Sequence, residues 1–128
     1  MRNMLETSSN WLETMRDRHT TVEVAYGRDP DSVDLSATIG RTVFEIDNGR
    51  GVLEKIESRD FLVLRKELIL GGNPVLPERG DKVRETKDGT VYVYEVMAPG
   101  KEPHYRYSDP YRKTLRIHTK QVDTEVAP

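Results

Sequence analysis

Residues 33–49 read Val33-Asp34-Leu35-Ser36-Ala37-Thr38-Ile39-Gly40-Arg41-Thr42-Val43-Phe44-Glu45-Ile46-Asp47-Asn48-Gly49, and this stretch decides the class of fold. Val33, Leu35, Ala37 and Ile39 alternate with Asp34, Ser36 and Thr38, so an extended chain has one apolar and one polar face. Gly40 is expected to break that strand. The alternation resumes in Thr42, Phe44 and Ile46 and ends on Asp47-Asn48-Gly49, whose residues suit a tight hairpin.

The same period of two runs outward in both directions. Upstream, Val22, Val24 and Tyr26 share a face, and Gly27-Arg28-Asp29-Pro30-Asp31 supplies a turn. Downstream, strands are expected over 52–58 and 61–64, separated by Arg59-Asp60. The stretch 65–70 fits either one helical turn or an extension of the strand. Gly71-Gly72-Asn73-Pro74 and Pro77-Glu78-Arg79-Gly80-Asp81 bracket an irregular loop. A hairpin follows, 82–86 with 91–97, around Lys87-Asp88-Gly89. Pro99-Gly100, Pro103 and Pro110 make 99–113 irregular, and 115–122 is a last strand with Leu115 and Ile117 inward and Arg116, His118 and Lys120 outward.

Only the N-terminal stretch has a helical period. Asn10 caps it, Glu13 is the reciprocal acidic partner three residues on, and Trp11, Leu12 and Met15 fall on one stripe. That stripe either covers one end of the domain or docks on a neighbouring subunit, which makes Trp11, Leu12 and Met15 the candidate subunit contact. The expected organisation is an arm and short helix over 1–19, one domain over 20–122 and a frayed tail over 123–128. The fold class is mainly β: a small barrel or sandwich of antiparallel strands with one short N-terminal helix.

Composition narrows the function. The chain has 128 residues, 35% hydrophobic and 33% charged, which is lean in apolar side chains for one domain. No apolar run approaches the ~20 residues of a membrane-spanning helix. Met1-Arg2-Asn3-Met4-Leu5-Glu6 lacks the apolar core of a secretory signal, and the absence of cysteine excludes disulfides and suits a reducing compartment. The net charge of −2 is unevenly spread: residues 1–100 carry −4, residues 101–120 carry +4 and the tail −2.

Chemistry is hard to find. His19, His104 and His118 lie far apart with no partner at metal-ligand spacing, and no nucleophile elbow or phosphate-binding glycine loop occurs. Glu54, Glu57 and Asp60 scatter over both faces of a strand and a turn, so a metal-dependent hydrolase is the weakest reading. No enzyme, metal site or cofactor is expected. Arg79-Gly80-Asp81 spells an integrin-binding tripeptide but reads as a turn entering a strand.

The strongest polar feature mixes tyrosine with cations. Tyr105, Tyr107 and Tyr111 sit among Lys101, Arg106, Arg112, Lys113 and Arg116, which form a candidate basic surface for assembly or for DNA. An alternative function follows from it: a small barrel that binds single-stranded nucleic acid non-specifically through Tyr92, Tyr94, Tyr105 and Arg106. The acidic and basic stretches of the chain equally suit subunits that meet head to tail.

A family resemblance runs through the second half. Ile56-Glu57-Ser58-Arg59-Asp60-Phe61-Leu62-Val63 leads to Leu70-Gly71-Gly72 and to Pro77-Glu78-Arg79-Gly80-Asp81-Lys82-Val83-Arg84. Val91-Tyr92-Val93-Tyr94-Glu95-Val96, Ser108-Asp109-Pro110-Tyr111-Arg112 and Leu115-Arg116-Ile117-His118-Thr119-Lys120 follow. This series, over roughly 50–120, resembles the small head–tail connector proteins of tailed bacteriophages and prophages, the head-completion, stopper or adaptor class. The resemblance implies a structural virion protein, made in the bacterial host cytoplasm, that forms a ring with copies of itself. That ring would join the portal or adaptor protein to tail proteins and help close the DNA channel, with non-specific contact to packaged DNA. The family's inserted channel loop corresponds here to either 65–81 or 98–113. No catalytic or binding residue comes with the resemblance.

Overall fold

The computed structural model describes residues 21–47 and 49–127. The expected N-terminal helix, with Trp11, Leu12 and Met15, lies outside them, as does His19.

Among the described residues nine strands follow one another: β1 Thr21–Arg28, β2 Asp31–Asp47, β3 Leu53–Leu64, β4 Ile69–Leu70, β5 Asn73–Pro74, β6 Lys82–Lys87, β7 Thr90–Val96, β8 Tyr105–Tyr107 and β9 Thr114–Val126. A 3-10 turn, Arg65–Glu67, joins β3 to β4. The class is mainly β and every pairing is antiparallel. The main sheet runs β3-β2-β1-β6-β7-β9-β8, and β3 also pairs with β9, so six strands close a hydrogen-bonded circuit.

Alternation sets the inside of that circuit. Val24 and Tyr26 from β1, Leu35 and Ala37 from β2, Phe61 and Val63 from β3, and Leu115 and Ile117 from β9 are all buried in one apolar cluster. Leu68 and Leu70, beside the 3-10 turn, complete it at one end.

Both expected breaks are absent. Gly40 does not end a strand; β2 runs through it for 17 residues, because the glycine makes room for a neighbour. A Cβ on Gly40 would stand 3.1 Å from a guanidinium nitrogen of Arg116 and 3.3 Å from Leu62. Arg59-Asp60 does not interrupt the chain either, since both charges find partners and β3 is continuous. The C-terminal stretch expected to fray is paired instead. β9 continues to Val126 opposite Thr90, and the Ala127 N–H donates to Gly89 O at 2.9 Å. Register slips by one residue at Val122, between the pairs Val93↔Asp123 and Tyr94↔Gln121.

The circuit has two distinct ends. At the loop end lie the 3-10 turn, the loop 71–81 and the turn 108–113. At the other end, among the described residues, β2 and β3 outrun their partners and project as a two-stranded arm, from Arg41↔Arg59 out to Asp47↔Leu53.

Candidate functional site

The base of the arm is fixed by a polar cluster on the outer face of the sheet. Gly40, Asp60 and His118 lie side by side across β2, β3 and β9, with Thr42 and Ser58 in the next row. Asp60 is wholly buried. Its Oδ1 accepts from Ser58 Oγ at 2.6 Å and bonds His118 Nδ1 at 2.8 Å, while Oδ2 accepts from Thr42 Oγ1 at 2.5 Å and Arg116 Nε at 2.7 Å. Arg116 also donates to Arg41 O at 3.0 Å, and the edge of Phe44 closes over His118 at 5.2 Å. Burial alone would raise the Asp60 carboxyl, but these hydrogen bonds, led by His118, hold it well below the usual carboxylate range. Ser58, Asp60 and His118 are not a catalytic triad. Both Ser58 and His118 bond the carboxylate, Ser58 Oγ stands 3.5 Å from His118 Nδ1, and all three are at most 2% exposed.

Asp81 does the equivalent work at the loop end. Arg28 clamps its two oxygens with Nε and a terminal nitrogen, each at 2.9 Å, and the Tyr26 hydroxyl and the Glu78 N–H also donate to it. Burial opposes ionisation, but Arg28, Tyr26 and the Glu78 amide outweigh it and depress the carboxyl. The Tyr26 phenol is pushed up by burial and by Asp81. Asp81 is 4% exposed, so Arg79-Gly80-Asp81 is a structural turn whose acid faces inward.

The tyrosines divide. Tyr94 is buried, edge-on to Phe61 and under the Arg59 guanidinium at 5.1 Å, and Tyr92 packs against the core. Tyr94 is therefore closed to a base and Tyr92 only half open, which leaves Tyr105 and Arg106 as the more open part of the single-strand-binding alternative. Tyr105 and Tyr107 lie in β8, a short strand that the bracketing prolines hid, and both are half-buried. Tyr111 is 80% exposed.

The basic residues also divide. Arg116 is bound to Asp60 and is not a free cation. Arg106 is exposed on β8 opposite Arg116, whereas Lys101 lies by a hollow against the arm, with Val43, Ile46 and Leu53. Arg112 and Lys113 stand at the loop end, joined there by Arg65 and Lys66, a pair that lies outside the basic segment 101–120. Arg65 and Arg112 both approach the Tyr107 ring, at 5.9 and 5.5 Å, and Lys113 approaches Tyr111 at 5.9 Å. The link is tertiary: the Arg65 N–H donates to Lys113 O at 2.8 Å. The signal that sequence reading missed was Arg65-Lys66 directly after the apolar run 61–64.

Among the described residues no three His, Asp or Glu side chains converge as a metal site. What the surface offers is binding: an arm with apolar side chains in the open, and a cationic loop end. No curated protein matches the chain. A family model described as phage head-tail joining protein matches residues 2–126.

Proposed function

The chain belongs to the phage head-tail joining protein family, and from that premise we propose that it is a non-enzymatic virion protein that assembles as an oligomeric ring between portal and tail and helps close the DNA channel. The family match over 2–126 carries the reading. The closed strand circuit supports it by giving a rigid block, in effect a small β-barrel, from which the arm projects without needing its own core.

In this reading the open face of the arm meets the next copy. Val43 is 56% and Leu53 63% exposed, next to Glu45, Lys55 and Glu57. Large apolar groups rimmed by both charge signs make a suitable subunit contact. Trp11, Leu12 and Met15 add to that contact. Burial between copies also explains why the chain is lean in apolar residues. Portal or adaptor on one side and tail proteins on the other are the remaining partners, with assembly in the bacterial host cytoplasm.

Purified protein mixed with portal rings and imaged by electron microscopy is expected to add a ring of density to the portal. Portal rings that stay bare at every salt concentration would overturn the reading.

A further inference from the structure

We propose that Arg65, Lys66, Arg112 and Lys113 form a binding site at the loop end for the phosphate backbone of duplex DNA. The proposal rests on the reading of the chain as a head–tail joining protein and names the residues through which such a protein would hold the duplex.

The four cations come from two turns that the Arg65 N–H to Lys113 O bond ties together. They line one hollow, whose floor is Leu64 and Pro74. Apolar floors of this kind let the aliphatic stems lie flat while the charged heads stay in water. Arg28, Arg59 and Arg116 are each matched to a carboxylate, Asp81, Glu85 and Asp60 in turn. By contrast, among the described residues none of these four cations forms an ion pair. Two acids lie close in sequence: Glu67 follows Lys66 directly without an ion pair among the described residues, and Asp109, the acid nearest Arg112, has its Oδ1 accepting the N–H groups of Lys113 and Thr114 at 2.9 and 2.8 Å.

The turn that presents them is built with backbone strain. Arg112 has φ 58°, a left-handed conformation that a glycine would adopt freely and an arginine does not. Its guanidinium lies 5.5 Å from the Tyr107 ring centroid, and that of Arg65 approaches the same ring at 5.9 Å. Strain retained at an exposed arginine is a mark of a functional position.

Duplex DNA fits better than an acidic protein. The loop end does expose Tyr111, Ile69 and Leu76, but four cations without an ion pair among the described residues meet a continuous run of phosphates better than the scattered carboxylates of a protein surface. Polyanion binding needs only cations whose counterions are released, and guanidinium forks suit phosphate oxygens.

The test uses the full chain and a fluorescent duplex of about 20 base pairs, titrated by anisotropy over a range of salt. Affinity is expected to fall with salt, with a log–log slope near −3 to −4 for four phosphate contacts. R65A/K66A should shrink that slope by about 2 and weaken binding roughly tenfold or more at low salt, with K87A/K120A unchanged. An unchanged slope in R65A/K66A overturns the site. So does displacement of the duplex by polyglutamate at equal charge concentration, which would point to an acidic protein. Portal docking by R65A/K66A is followed in parallel by sedimentation. Docking retained while DNA affinity is lost supports the site, whereas docking lost with DNA affinity unchanged overturns it. A wild-type chain that never docks on portal rings overturns the joining role instead.

Discussion

Asp60 and Asp81 are both buried carboxylates beside an arginine, yet they hold different regions of the molecule in different ways. Asp60 takes its partners from β2, β3 and β9 and fixes the root of the arm from the outer face of the sheet. Asp81 takes its partners from β1 and its own turn, and it fastens the loop 71–81 to the end of the circuit. The two arginines are similarly wet, Arg28 keeping 30% of its side chain in water and Arg116 20%, but Asp60 has four side-chain partners where Asp81 has two and a backbone N–H. The arm is therefore held by the denser network and the loop end by the sparser one. A joining protein with these two ends needs an arm of fixed direction and a loop end that can meet a ligand.

The largest effect should separate the two acids. Asp60→Ala leaves Arg116 and His118 facing an uncompensated buried site and is expected to cost about 3–5 kcal/mol in urea unfolding. Asp81→Ala should cost less, about 2–3 kcal/mol, because Arg28 can turn to solvent. A larger loss in Asp81→Ala would break the comparison.

Acid should sharpen it. Both carboxyls titrate lower in the folded chain than in the unfolded one, so the folded state binds fewer protons. Their contribution is present above the unfolded value of about 4 and is lost as pH falls through the folded values. Unfolding free energy measured from pH 6 to pH 2 should fall below about pH 4, and Asp60→Asn should flatten that fall more than Asp81→Asn. Tyr26 acts with the opposite sign. Its raised value means that its contribution is present below about pH 10 and declines as pH rises beyond that.

Smaller effects probe each end. Gly40→Ala forces Arg116 to move and should cost about 1–2 kcal/mol, a cost that largely disappears when Arg116→Ala is already present. At the loop end, Arg112→Gly should gain about 1 kcal/mol by relieving the left-handed backbone, while duplex affinity falls. A gain in stability with unchanged affinity would remove Arg112 from the site.

How much of this was legible depended on the range of the interaction. The alternation at 22–26 and 33–39 placed Val24, Tyr26, Leu35 and Ala37 inside, and Asp88-Gly89 marked its hairpin, because those signals are local. Arg59-Asp60 looked like a break because the groups that partner it, Glu85, Arg116 and His118, lie far along the chain. Gly40 looked like a break for the same reason, its real neighbour being Arg116. His118 was expected to face outward, and it does, but Phe44 from the arm covers it. The cationic site was half visible: Arg112 and Lys113 stood in the basic segment, but Arg65 and Lys66 join them only through the fold.

The most direct test is a density map of the connector in the assembled particle. The account predicts this chain as a closed ring below the portal, each arm on the neighbouring copy and Arg65, Lys66, Arg112 and Lys113 facing the DNA. A chain found as isolated copies outside the channel, or with its arm free in solvent and its loop end turned from the DNA, would contradict it.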